Sequence, residues 1–219
     1  MALNKLKFNS LNVTPTAGKV VGFNSSANGL EATLSGGAMR FIKKLTASSS
    51  STLSFVDGSS DVVLDNTYKE YIFIFTNIHP ATDGTDFNIN FSTDSGSNYN
   101  VAKTTTYFQA YHNENDSVTS LEYLASKDLA QGTGVQKLAN AIGSDNDQQI
   151  SGFLHLFNPS SSTFVKHFVN RINISNNSEY SVDNHVAGYA NTTSAIDAVQ
   201  FNMASGNIDS GTITLYGIN

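Results

Sequence analysis

The sequence predicts an all-β chain: an antiparallel β-sandwich of jelly-roll type behind an extended N-terminal arm. Three observations lead there. Apolar residues recur at every second position in short runs, most clearly Phe87, Ile89, Phe91 and Val199, Phe201, Met203. Clusters of Gly, Asn, Asp, Ser and Pro interrupt these runs roughly every ten residues, as the turns of a sandwich do. No long stretch carries the 3.6-residue period of an amphipathic helix.

Composition narrows the function classes. The 219 residues include no cysteine, which removes disulfides, thiolate metal sites and cysteine nucleophiles together. Charged residues make up 14%, well below the roughly 25% of an ordinary domain, so the surface is polar but weakly charged. A net charge of -6 with only 12 Lys plus Arg gives little material for a phosphate-binding patch, and no nucleic-acid partner is expected. No apolar run approaches the ~20 residues of a membrane span, so membrane insertion is not expected either. The first residues lack the apolar core of a signal peptide, and the mature protein is expected to start near Met1.

Taken in order, residues 1–38 hold isolated apolar residues among Asn, Ser, Gly and Thr, too few for a core of their own. They are either an unordered tail or an arm that orders against a partner. On the second reading Leu3, Leu6, Phe8, Leu11, Val20 and Phe23 are the attachment residues. Gly36 and Gly37 mark the boundary, and 39–219 form the sandwich domain. Met39–Ile42 and Leu53–Val56 begin it on either side of a Ser-rich turn. Tyr68–Ile78 is apolar on both parities, Phe73 and Phe75 on one face and Ile72, Ile74 and Ile78 on the other, which predicts a central strand covered on both sides. Phe87–Ser92 alternates with Asn88, Asn90 and Ser92 and reads as half-buried; Tyr107–Tyr111 is a further strand. From 113 to 147 the signal fades: Leu121–Leu129 is strand or short helix, and Gly132–Gly143 a surface excursion. Ile150–Phe157 and Thr163–Ile174 flank Asn158-Pro159-Ser160-Ser161 and predict a hairpin. After a short strand at Gly188–Asn191, Ala195–Ile218 is expected to be a terminal hairpin turning at Gly206-Asn207, with Phe201, Met203, Ile213 and Leu215 in the core. In all, about eight to ten strands are expected.

Few residues point to chemistry. His155 and His167 fall diagonally across the predicted Ile150–Ile174 hairpin, but nothing in either strand completes a metal site, and none is assigned. Asp83-Gly84-Thr85-Asp86 and Asp145-Asn146-Asp147 lack the glycine and closing glutamate of a calcium loop and read as turns. No G-x-S-x-G elbow occurs. Neither catalytic residues nor a cofactor site is assigned. Tyr68, Tyr71, Tyr107, Tyr111, Tyr123 and Tyr180 suit either core packing or stacking on a sugar or partner.

Four segments together resemble a family of virion structural proteins of tailed bacteriophages: AGKVVGFNSSANGLEA (17–32), YKEYIFIFTNIHPATDG with FSTDSGSNYN (68–100), SGFLHLFNPSS (151–161) and QFNMASGNIDSGTITLYGI (200–218). The resemblance implies a non-enzymatic structural protein, a surface-exposed tail fibre or appendage, with a capsid decoration, cement or head-fibre protein as the alternative. It implies assembly in the host cytoplasm, a homotrimer, attachment to other virion proteins through the N-terminal arm, and a host-surface glycan as a further partner. The rival class is a carbohydrate-active sandwich enzyme using paired carboxylates, with Glu122 and Asp128 or Asp147 as candidates.

Overall fold

The structure, a computed structural model, describes residues 20–24, 26, 28–33 and 38–218. Leu3, Leu6, Phe8 and Leu11 lie outside the described residues. The chain divides into two units, 1–38 and 39–219.

In the first unit, β1 (Val20–Phe23) pairs antiparallel with β2 (Leu30–Thr33). Asn24 closes the turn: its backbone N–H donates to the Gly29 carbonyl at 2.9 Å, and its side-chain oxygen accepts from the Asn28 N–H at 3.1 Å. The Phe23 ring is 73% exposed.

The second unit is an antiparallel β-sandwich, with no helix among the described residues. Its strands are β3 (Met39–Thr46), β4 (Leu53–Val56), β5 (Glu70–Pro80), β6 (Thr85–Ser92), β7 (Lys103–Asn113), β8 (Thr119–Tyr123), β9 (Gln136–Ile142), β10 (Ile150–Phe157), β11 (Lys166–Ser175), β12 (Tyr180–Ala190), β13 (Ala198–Met203) and β14 (Ile208–Ile218). Eight make one sheet in the order β3-β14-β5-β10-β11-β12-β7-β8; four make the other in the order β4-β13-β6-β9. The consecutive pairs β3/β4, β5/β6, β9/β10 and β13/β14 each change layer, so the series β3-β14-β5-β10 and β4-β13-β6-β9 run in step. The strands β7, β8, β11 and β12 all join the larger sheet and make it twice as wide as the smaller.

The terminal pair therefore differs from expectation. The strands β13 and β14 lie in different sheets and are not a hairpin. Both apolar stripes, Val199, Phe201, Met203 and Ile213, Leu215, face the space between the layers, so hydrogen bonding them side by side would have turned both stripes onto one face of one sheet. Phe201 sits in an aromatic cluster, with ring centroids 5.3 Å from Phe75, 5.4 Å from Phe73, 5.7 Å from Phe87 and 6.3 Å from Phe55.

Bulges account for two of the other departures, in β5 and β9. In β5, Tyr71, Phe73 and Phe75 point into the core, but the next core residue is Ile78, two positions being spent on exposed Thr76 and Asn77. Asn77 has φ +49 and the register with both neighbouring strands slips here, so Ile78 joins the Phe73 face rather than the Ile72 face. Ile74, expected in the core, is half-buried on the outer face. In β6 the expected polar face is buried too: Asn88, Asn90 and Ser92 are covered. The Asn90 amide donates to the carbonyls of Tyr99 and Thr133 in the loops that cover it. The segment expected to be a surface excursion contains β9, whose Leu138, Ala139 and Ile142 are buried; a bulge at Ala141 (φ +54) breaks its alternation. Leu121 belongs to a strand, β8, and β12 extends well before Gly188. The hairpin β10–β11 forms as expected around Asn158 and Pro159.

Candidate functional site

Where β12, β7 and β8 carry the larger sheet past β9, the edge of the smaller one, the inner face of the larger sheet loses its cover. A cleft of about 260 Å³ opens there, lined by Gln109 and Tyr111 of β7, Glu122 of β8, Asn140 of β9, Tyr180 and Val182 of β12 and Asn176 of the turn before β12. Strand pairing places these groups together. Gln109 is opposite Glu122 on one side, and Tyr111 is opposite Val182 on the other, so all four point to the same face.

The cleft's polar groups are held in fixed roles. The Gln109 amide nitrogen donates to Glu122 at 2.8 Å, while its carbonyl oxygen has no protein donor although the residue is only 8% exposed. The Tyr107 hydroxyl donates to the Asn140 carbonyl oxygen at 2.6 Å, which fixes the Asn140 amide. The Asn176 side-chain oxygen accepts from the backbone N–H groups of Ser178 and Tyr180, both at 3.0 Å. Tyr111 and Tyr180 meet edge to face with centroids 5.6 Å apart. No Lys, Arg or His lines the cleft.

The tyrosines singled out in the sequence separate. Tyr71 and Tyr107 are fully buried, and burial pushes both phenols upward from their ordinary pKa; they are core residues. Tyr68 packs against the inner core. Tyr111 and Tyr180 line the cleft, and Tyr123 is exposed on the outer face of the edge strand β8, where its hydroxyl donates to Asp128. Of the carboxylates named for an enzymatic reading, Glu122 faces the cleft, Asp128 is engaged by Tyr123, and Asp147 is exposed in the turn between β9 and β10.

The opposite, outer face of the eight-stranded sheet is aromatic and apolar over much of its width. Phe41, Phe153, Val169 and Phe108 are exposed, Phe41 to 63%. His155 and His167 lie here as diagonal neighbours, since His155 is opposite Val169. Their rings pack on aromatics: His155 against Phe153 and Phe157, His167 against Tyr189. Among the described residues no three His, Asp or Glu side chains are grouped to hold a metal. The Asp83 side chain accepts from the Ser144 N–H, and Gly84 has φ +67, both turn roles.

No family model, curated protein or solved structure matches this chain. Its functional reading therefore rests on the two surfaces just described. Gln109, Asn140 and Asn176 were not singled out in the sequence. The one available signal was polar residues at inward positions of alternating strands, which becomes legible only once the overhang is known.

Proposed function

We propose that the chain is a non-enzymatic structural protein of a bacteriophage virion, a surface-exposed tail fibre or appendage in which the sandwich presents interaction surfaces. The observation that carries this reading is the outer face of the eight-stranded sheet. Phe41, Phe108, Phe153 and Val169 lie exposed on one face of the sheet among the described residues, an apolar surface that favours a subunit of an assembly over an isolated enzyme. The strand order supports the finer jelly-roll reading, because the two interleaved four-strand series described above are those of two nested Greek keys with β7, β8, β11 and β12 added. The resemblance noted in the sequence supports the phage virion, the homotrimer, and anchoring to other virion proteins by the N-terminal arm, including Val20 and Phe23.

Locating the chain in an electron-microscopy map of the intact particle tests the assignment. Density on tail appendages supports it; density at regular lattice positions on the icosahedral shell replaces it with capsid decoration. Incubation with host-surface polysaccharide tests the rival class, and new reducing ends would make the protein an enzyme.

A further inference from the structure

We infer that β8, one edge of the eight-stranded sheet, pairs with β8 of a second copy of this chain, antiparallel and centred on Leu121, so that two larger sheets become one. This does not depend on the virion reading. Two hydrogen bonds at the ends of the β7–β8 pairing, from the Leu124 N–H to the Tyr107 carbonyl and from the Asn113 N–H to the Val118 carbonyl, fix which positions β7 uses. Bonded positions alternate in an antiparallel ladder, so Val118, Ser120, Glu122 and Leu124 bond to β7. Thr119, Leu121 and Tyr123 then turn their backbone N–H and C=O groups outward, and among the described residues nothing is hydrogen-bonded to those groups. All three residues are exposed, Leu121 to 73%. An open edge with apolar side chains and no bulge, proline or lysine is a template for another strand.

The other edge of the same sheet is defended. In β3, Ile42 is left over between Lys43, opposite Leu215, and Phe41, opposite Tyr216, so its outward groups lose the two-residue spacing that a partner strand needs. Arg40, Lys43 and Lys44 add charge along it. In the smaller sheet β4 is only four residues long, and β9 is bulged at Ala141. The strand that fits β8 is β8 itself. On a two-fold axis through Leu121, Leu121 meets its counterpart, Thr119 meets Tyr123 and Ser120 meets Glu122, so the outward N–H and C=O groups of all three exposed residues are paired. On the outer face the two Leu121 side chains cover each other. On the inner face the Ser120 hydroxyl can donate to Glu122, whose carboxylate already accepts from Gln109. A two-residue slip one way sets the two Glu122 carboxylates opposite each other. The same slip the other way puts Tyr123 opposite Ser117, whose N–H is already held by Asn113.

The chain has no cysteine, so single thiols test the register directly. Across the axis the two Leu121 Cα atoms stand about 5.5 Å apart, within disulfide range. The two Tyr123 Cα atoms, four residues out of register, stand about 14 Å apart. Under mild oxidation of the full chain, Leu121→Cys should give a disulfide-linked pair on denaturing electrophoresis. Thr119→Cys and Tyr123→Cys should each give little alone, and a mixture of the two should give the mixed pair. A contact of five residues a side is smaller than the roughly 800 Å² per partner of a stable interface, so without the disulfide the dissociation constant should be about 0.1–1 mM. Sedimentation up to about 1 mM should show this association, and Leu121→Pro, which removes an outward N–H and no bond to β7, should weaken it at least about tenfold. If the proline variant does not fold, Leu121→Lys decides. The inference is overturned by no crosslink at 121, by equal crosslinking at 119, 121 and 123, or by association that both Leu121 variants leave unchanged. The homotrimer stands or falls separately. The β8 contact doubles whatever assembles without it, a trimer to a hexamer or a monomer to a dimer, and Leu121→Lys leaves that smaller assembly intact.

Discussion

The Lys103 ammonium sits 2.5 Å from the side-chain oxygen of Asn90, with the Val101 carbonyl 2.7 Å away, and among the described residues no carboxylate is hydrogen-bonded to it. Both residues are buried. The cation is therefore solvated by neutral oxygens alone, and burial lowers its pKa from 10.5 to about 8.

A dome-shaped dependence of stability on pH should result. Below about pH 8 the amine is charged in both states, and the folded state carries the whole burial penalty. Between about 8 and 10.5 the unfolded chain still holds the proton that the folded chain has released, so stability rises with pH, by on the order of 3 kcal/mol if only Lys103 titrated. Tyr71 and Tyr107 act in the opposite sense: their phenols are raised above 10, so the unfolded chain loses those protons first and stability falls above that pH. Urea unfolding at a series of pH values should show a maximum near pH 9–10. Lys103→Met should show a smaller rising limb, the remainder coming from Lys127 and Lys166, whose pKa values burial also lowers, and an equal rise in that variant would refute the assignment.

Acid should destabilise the fold through the outer face. The Arg171 guanidinium donates to both oxygens of Asp183, from Nη2 to Oδ2 at 2.8 Å and from Nε to Oδ1 at 3.1 Å, and this holds the Asp183 pKa below its ordinary value. A carboxylate with a depressed folded pKa contributes stability that is present above its unfolded pKa of about 4 and lost as pH falls through the lower folded value. Because Arg171 is largely exposed, Asp183→Asn should cost no more than about 1 kcal/mol at pH 7. Its stability relative to the parent chain should recover as pH falls through the folded pKa of Asp183.

Phe201→Ala should be among the most damaging single changes, at about 3–5 kcal/mol, because four rings close on it and none can collapse into the space without leaving another. Phe75→Ala belongs to the same class. Ile74→Ala, half-buried on the outer face of the same strand, should cost about 1 kcal/mol. Equal losses for Phe75→Ala and Ile74→Ala in denaturant melts would show that the outer face is covered as fully as the core.

Gly211→Ala should cost about 1–3 kcal/mol by strain and crowding. Gly211 has φ +106, and a Cβ there would strike the Asn77 carbonyl across the β5–β14 bulge. A loss comparable with that of Gly58→Ala, where φ is +72 but the Cβ meets open space, would show that the crowding at the bulge relaxes and only the backbone strain remains.

The trimer and the arm can be separated by light scattering on the full-length protein and on a version beginning at Met39. A trimeric full-length protein is expected, and a monomer at tens of micromolar counts against it. Virion incorporation that is unchanged without residues 1–38 counts against anchoring by the arm.

The fold class was legible in the sequence because side-chain alternation is a local property: Val199, Phe201, Met203 and Phe87, Ile89, Phe91 reveal strands wherever they pair. Pairing itself was not legible. Val199–Met203 and Ile213–Leu215 look alike whether they are hydrogen-bonded to one another or packed face to face, and a glycine turn serves either arrangement. Strand β9 stayed hidden because Ala141 interrupts its alternation, and most of β12 because its inward Asn184 reads as an outward one. The cleft escaped for a related reason. Gln109 and Asn140 gain meaning only from the unequal widths of the two sheets, a difference made by pairings between distant strands.

Strand β14 lies between β3 and β5, with Ile218 opposite both Met39 and Glu70. The larger sheet thus cannot close until residue 218 has been synthesised, and during translation β3 and β5 wait with unpaired edges. Contacts that span most of the sequence give a high contact order, which slows folding and leaves the nascent chain open to aggregation. A cell making this protein in quantity should find its yield limited by the interval between the emergence of β5 from the ribosome and the arrival of β14.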